Sequence, residues 1–195
     1  MKAFFREILA IVVLAIVIFI LLQTTIQSTV VVGLSMQPDF QDGQRLLIIK
    51  AVYAFREPER GDVIVFHSPN NSRTDYIKRI IGLPGDTIEI KEGAVYLNDS
   101  PLYEPYIADP PHYTLQKQEV PQNSYFVLGD NRNNSNDSHN GWTVPRQNII
   151  GKAWLSIWPP DEWGLAPNYP LQDQLTAFTN KPATVLIKGP IWQQK

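Results

Sequence analysis

A chain of 195 residues with a formal net charge of −2 has no basic surplus to draw nucleic acid. It contains no cysteine, which excludes disulfides, thiolate nucleophiles and cysteine-ligated metal or iron–sulfur centres. Its only imidazoles are His67, His112 and His139, and none stands in a metal-binding spacing, which argues against a metal hydrolase.

The first element is an apolar run. Lys2 and Arg6 precede residues 8–22, which contain no polar side chain. As a helix that run covers roughly 22 Å, and the mildly polar Gln23, Thr24 and Thr25 with Ile26 extend it towards the ~30 Å of a bilayer core. A cleavable leader would want an Ala-x-Ala pattern after it, and Gln-Thr-Thr-Ile-Gln-Ser-Thr-Val is a poor match. A buried core helix would show a polar face. The reading is therefore an uncleaved anchor, residues 1–27. Its Lys2 and Arg6 predict a cytoplasmic N-terminus, with the rest of the chain outside.

Strands are predicted next over residues 28–33, 43–52, 62–66, 76–81, 87–91, 94–97, 124–128 and 149–157. They are β-branched or aromatic runs separated by turn residues. Glu92-Gly93 reads as a hairpin turn. Residues 98–122 are rich in Pro and Tyr with little periodicity, and are expected to form a small inserted irregular lobe. Residues 129–142 form a polar loop, either functional or a solvated excursion rich in Asx turns. Residues 161–195 form a C-terminal extension with one short apolar run at 184–187. The fold class expected is mainly β. An N-terminal transmembrane helix precedes a folded antiparallel sheet or barrel-like domain, residues 28–97 and 123–160.

Two positions in this frame could carry chemistry. Strand alternation puts Lys78 on one face with Tyr76 and Ile80, and Arg79 on the other with Ile77 and Ile81. A lysine on an apolar face loses solvation, which lowers its pKa and makes it a possible base. It could equally snorkel to water. Ser35 sits before the Met36-Gln37-Pro38 turn, where a serine is ordinarily structural. Nine residues separate it from Ile26, so it lies at most ~30 Å along the chain from the anchor. A serine hydroxyl needs a base to become a nucleophile, and a desolvated lysine can serve.

Four blocks, in order, resemble the type I signal peptidases, membrane-bound serine–lysine proteases. They are Ser35-Met36-Gln37-Pro38; Gly61-Asp62-Val63-Ile64-Val65-Phe66 with Pro69; residues 76–86, Tyr-Ile-Lys-Arg-Ile-Ile-Gly-Leu-Pro-Gly-Asp; and Gly129-Asp130-Asn131-Arg132 with Asn134, Ser135, Asp137 and Gly141. The resemblance implies Ser35 as nucleophile and Lys78 as general base. It implies that Ser135 orients the Lys78 amine, that Asp137 supports that loop, that Arg79 is structural, and that Met36 and Tyr76 line a pocket for a small side chain. It further implies removal of signal peptides from exported preproteins after Ala-x-Ala sites at a phospholipid membrane, without cofactor, metal or nucleic acid.

Three departures from the family pattern stand out. Gly33 stands where many relatives carry a Ser or Thr that helps form the oxyanion hole, so backbone N–H groups, including that of Ser35, would take over. Losing one such donor can cost ~3 kcal/mol. Asp39-Phe40 replaces the usual Thr-Leu, which bears on the shape of the pocket. His139 replaces an arginine that would pair with Asp137 at any pH. Imidazole is charged only when protonated, ordinarily below ~6.5, so the loop is expected to be held less firmly at high pH. Two other readings remain. A self-cleaving serine–lysine repressor-type protease would need a DNA-binding region or cleavable linker before the serine. A membrane-anchored β-domain that binds a partner without catalysis would not be acylated at Ser35.

Overall fold

The computed structural model describes residues 2–69, 71–169 and 171. Helix α1 runs over Lys2–Thr25. Its large apolar side chains face outward all along it, with Phe4 64% and Phe19 62% exposed, and a helix that is apolar all round requires an apolar medium. The 22 residues from Phe4 to Thr25 cover about 33 Å, long enough to cross a bilayer core. The hydroxyls of Thr24 and Thr25 bond back to the carbonyls of Ile20 and Leu21 at 3.0 and 2.6 Å, so the polar end of the helix is internally satisfied.

The chain passes from Thr25 directly into β1, Ile26–Val30. The N–H of Lys50 donates to the Thr25 carbonyl at 2.8 Å, tying the helix end to the sheet. After β1 come β2 (Arg45–Ile49), the short helix α2 (Val52–Phe55), β3 (Val63–Ser68), β4 (Asn71–Gly82), β5 (Thr87–Lys91), β6 (Ala94–Leu97), β7 (Ser100–Pro101) and β8 (Leu115–Glu119). β9 (Ser124–Leu128), β10 (Val144–Pro145), β11 (Ile149–Trp158) and β12 (Gly164–Leu165) complete the set among the described residues. One sheet has the order β1-β2-β11-β3-β4-β9-β10, with β12 also on β11. The second has the order β7-β6-β5-β8, and every pairing in both is antiparallel.

β3 explains how the large sheet is covered on both faces. Val63 and Val65 pack with Met36, Phe40, Leu46 and Ile48, whereas Ile64 and Phe66 pack with Tyr53, Ile80 and Val127. A strand buried on both sides reads as a continuous apolar run rather than an alternating one. Asp62, 2% exposed, ends this run and accepts from the Tyr53 hydroxyl at 2.9 Å and Lys152 Nζ at 2.5 Å. The aspartate of the Gly61-Asp62 block thus fastens α2 and β11 to β3.

The second sheet corrects the expected lobe. It begins at Thr87 rather than after residue 97, and the segment 98–122 contributes β7 and β8 instead of being wholly irregular. β8, Leu-Gln-Lys-Gln-Glu, has no apolar alternation. Backbone pairing with β5 makes it a strand, and local sequence cannot signal that. Part of the C-terminal extension is also integral. Leu171 is fully buried beside Ile81 and Leu128, and the Ala166 N–H donates to the Trp154 carbonyl at 2.8 Å. The apolar run 184–187 lies outside the described residues.

Candidate active site

β4 carries the lysine. Its register against β3 sets Lys78 opposite Ile64 and Arg79 opposite Val63. Tyr76 and Ile80 share the core cluster of Ile64, whereas Ile77 packs with Val63 and Val65. Tyr76 and Ile80 thus lie apart from Ile77, as alternation predicts, whereas Ile81 packs in a third cluster with Ile88 and Leu128. Lys78 is 4% exposed, and Arg79 is fully buried.

Ser35 meets Lys78 from a turn between β1 and β2. Lys78 Nζ lies 2.6 Å from Ser35 Oγ and 2.9 Å from the Ile77 carbonyl. Burial lowers the Lys78 pKa to about 8, with Asp137 and Asp130 pulling the other way. The ammonium is thus destabilised by desolvation, and its neutral form is accessible close to neutral pH. The pair opens on a cavity of about 250 Å³ lined by Val30, Val32, Gly33, Leu34, Tyr76 and Asn136, among others.

Gly33 sits on that wall at φ +91°, a backbone conformation that disfavours a side chain, although the space beside it is open. Its N–H donates to Asp42 Oδ1 at 2.7 Å. Where the resemblance led one to expect a Ser or Thr, the chain makes a turn that suits glycine.

Met36 is fully buried in the core with Phe40 and Leu46, and the described lining of the cavity does not include it. Tyr76 does line it, and Lys78 Nζ lies 5.5 Å from its ring centroid. Ser135 Oγ is buried and has no hydrogen-bond partner among the described residues, so the bond to the Lys78 amine that the resemblance implied is not made here. Asp137 accepts from the Gly129 N–H at 2.9 Å and from the His139 N–H at 3.2 Å, and its carboxylate meets the His139 ring at 2.7 Å. It closes the loop on itself beside the pair.

The Asp39-Phe40 departure also finds an account. Asp39 pairs with Arg79 at 2.9 Å and accepts from the Tyr169 hydroxyl at 3.1 Å. Phe40 is core. Neither is among the residues given above as lining the cavity, and Asp39 pairs with the buried Arg79 instead. Arg79 also bonds Asp130 through two nitrogens at 2.8 and 2.7 Å, with both side chains fully buried.

Residues that sequence reasoning left without a role surround this pair. Arg132, fully buried, forms a two-pronged pair with Glu104 at 2.5 and 2.6 Å. Tyr106 donates to Glu104 at 2.7 Å and lays its ring 4.4 Å from the Arg79 guanidinium. Asp130, Asn131 and Arg132 belonged to a recognised block, which was the available signal. Glu104 and Tyr106 lie in a stretch read as irregular, and carried none.

The structure thus sets a buried serine–lysine contact in an antiparallel β-fold behind an apolar helix. Comparison with known proteins names the family. The description "Signal peptidase, peptidase S26" matches residues 4–158. A probable signal peptidase I-1 of Synechocystis sp. is 44% identical over 160 residues, which is 78% of this chain and 77% of that protein. A signal peptidase I of Leptolyngbya laminosa is 47% identical over 145 residues, 69% of this chain and 71% of that one. A crystal structure of a signal peptidase I from Enterococcus faecalis is 34% identical and covers 50% of this chain and 97% of its own, at a TM-score of 0.46. The chain belongs to the signal peptidase family, peptidase S26.

Proposed function

We propose that this protein is a membrane-anchored serine endopeptidase that removes the signal peptides of exported preproteins, with Ser35 as nucleophile and Lys78 as general base. The observation that carries the reading is the 2.6 Å contact between Lys78 Nζ and Ser35 Oγ with the amine almost wholly buried. Lys2 and Arg6 keep the N-terminus in the cytoplasm. α1 then crosses the membrane once, and the β-domain works on the outer side. β1 follows α1 without a linker, so Ser35 operates close to the bilayer surface where a signal peptide emerges.

Neutral Lys78 takes the Ser35 hydroxyl proton as Oγ bonds to the scissile carbonyl carbon. The carbonyl oxygen becomes an oxyanion, facing the Ser35 N–H because Gly33 supplies no hydroxyl. As the C–N bond breaks, Lys78 gives its proton to the leaving amine. The acyl-enzyme ester is then hydrolysed by a water whose proton Lys78 accepts and returns to Oγ. Asp137 holds the loop that closes over Lys78, and Ser135 lies within that loop. Tyr76 and the valines of the cavity wall suit small side chains, in keeping with Ala-x-Ala sites. No cofactor or metal enters this scheme.

The test is cleavage of a preprotein bearing an Ala-x-Ala site by the detergent-solubilised full chain, beside Ser35→Ala and Lys78→Ala. The expected result is cut product of the right length from wild type and none from either variant. Cleavage surviving Ser35→Ala would remove Ser35 as the nucleophile. A folded wild-type protein that neither cleaves nor is acylated at Ser35 would favour a partner-binding domain.

A further inference from the structure

The peptide between Leu34 and Ser35 has its carbonyl at one end and the Ser35 N–H at the other. The peptide is planar and trans, so the direction of one sets the direction of the other. Among the described residues nothing accepts from the Ser35 N–H, whereas the Leu34 carbonyl has two donors. The Gln37 N–H reaches it at 3.2 Å, closing the turn, and Asn131 Nδ2 reaches it at 3.1 Å from the other side of the site. The backbone N–H of Asn131 donates to the Ser35 carbonyl at 3.0 Å. One residue therefore bonds the carbonyls of both Leu34 and Ser35.

Asn131 is itself firmly placed. Its neighbours on either side, Asp130 and Arg132, are fully buried and paired with Arg79 and Glu104. Gly129 brings this loop against the serine, because a Cβ there would strike the Ser35 carbonyl oxygen and Ser135 Oγ.

We propose that Asn131 is a positioning residue that aims the Ser35 N–H at the developing oxyanion. It acts by holding the Leu34 carbonyl through its side chain, while its backbone N–H holds the Ser35 carbonyl. The inference rests on the reading of Ser35 as nucleophile. Removing the side-chain amide leaves the backbone bond to Ser35, so the serine stays near Lys78 while its N–H loses alignment. Deleting an oxyanion donor costs ~10²–10³ in rate. Misdirecting one that remains present, through loss of one neutral hydrogen bond, corresponds to about tenfold.

The experiment compares wild type, Asn131→Ala, Asn131→Asp and Ser35→Ala as full chains in detergent, on a peptide carrying an Ala-x-Ala site. Asn131→Asp keeps the side-chain shape and cannot donate. Both Asn131 variants are expected to lose about tenfold in kcat with KM within twofold. In Asn131→Ala, which adds no charge beside Lys78, the acid limb of kcat/KM should stay where it is in wild type, and affinity for a peptide boronate, which forms a tetrahedral adduct on serine, should fall by the same factor. In that variant a kcat within twofold of wild type, a loss confined to KM, or a displaced acid limb would each overturn the inference. Activity remaining in Ser35→Ala would instead overturn the nucleophile assignment. If Ser35→Ala is dead while Asn131→Ala is fully active, only the positioning role fails.

Discussion

Replacing Lys78 by methionine removes the buried amine and keeps the apolar stem. In the wild type, burial lowers the Lys78 pKa from 10.5 to about 8. Between these values the unfolded chain binds more protons than the folded one, so the stability of the wild type rises with pH across that window. At 1.36 kcal/mol for each tenfold change in proton affinity, the gap corresponds to about 3 kcal/mol. Below pH 8 the folded protein carries that whole penalty, and the methionine variant carries none of it. Against this, the variant loses the bonds from Nζ to Ser35 and to the Ile77 carbonyl, each a net ~1 kcal/mol. At pH 7 the variant should then be about 1 kcal/mol more stable than wild type, and by pH 10.5 it should be less stable. Urea unfolding of both full chains in micelles, followed by tryptophan fluorescence from pH 7 to 10.5, measures the difference. Its change with pH, about 3 kcal/mol, is the discriminating quantity. The same pKa must govern catalysis. With neutral Lys78 as base, kcat/KM should fall to about one-tenth of its plateau at pH 7 and about one-hundredth at pH 6. A stability difference that does not vary with pH, a rate that stays flat down to pH 6, or a limb near lysine's ordinary ~10.4 would refute a desolvated lysine base.

Gly129→Ala places a methyl group against the Ser35 carbonyl and Ser135 Oγ, so the serine or the loop must shift. A loss of roughly 10²-fold in kcat is expected, and a wild-type rate would show that the close approach is dispensable. Glu104→Ala strands the fully buried guanidinium of Arg132, which should cost about 3–5 kcal/mol in urea unfolding; a loss under 1 kcal/mol would mean that the pair does not hold the lobe to the loop. In His139→Arg the residue beside Asp137 keeps its charge at alkaline pH. The thermal midpoint should rise above wild type increasingly as pH increases, and no gain at any pH would show that His139 does not stand in for arginine.

The apolar helix, the antiparallel strands and the two faces of β4 were legible in the order of residues. Each is a local periodic signal: an unbroken apolar run, β-branched runs between turn residues, and alternation that set Lys78 and Arg79 on opposite sides. The four blocks also marked Ser35 and Lys78 as candidates, although 43 positions separate them along the chain. That their side chains touch, and that burial brings the lysine pKa down to about 8, came only from the folded arrangement. Burial and contact depend on residues far apart in sequence, and no local pattern encodes them. For the same reason Met36 went to the core instead of the cavity. Asp39 turned out to be a partner of Arg79, and Ser135 was left without the bond expected of it. The strand β8 and the Glu104–Arg132 pair were illegible because neither shows periodicity or a motif. β8 exists because the edge of β5 offers it hydrogen bonds, and Glu104 is held because a buried arginine on another segment requires a counter-charge.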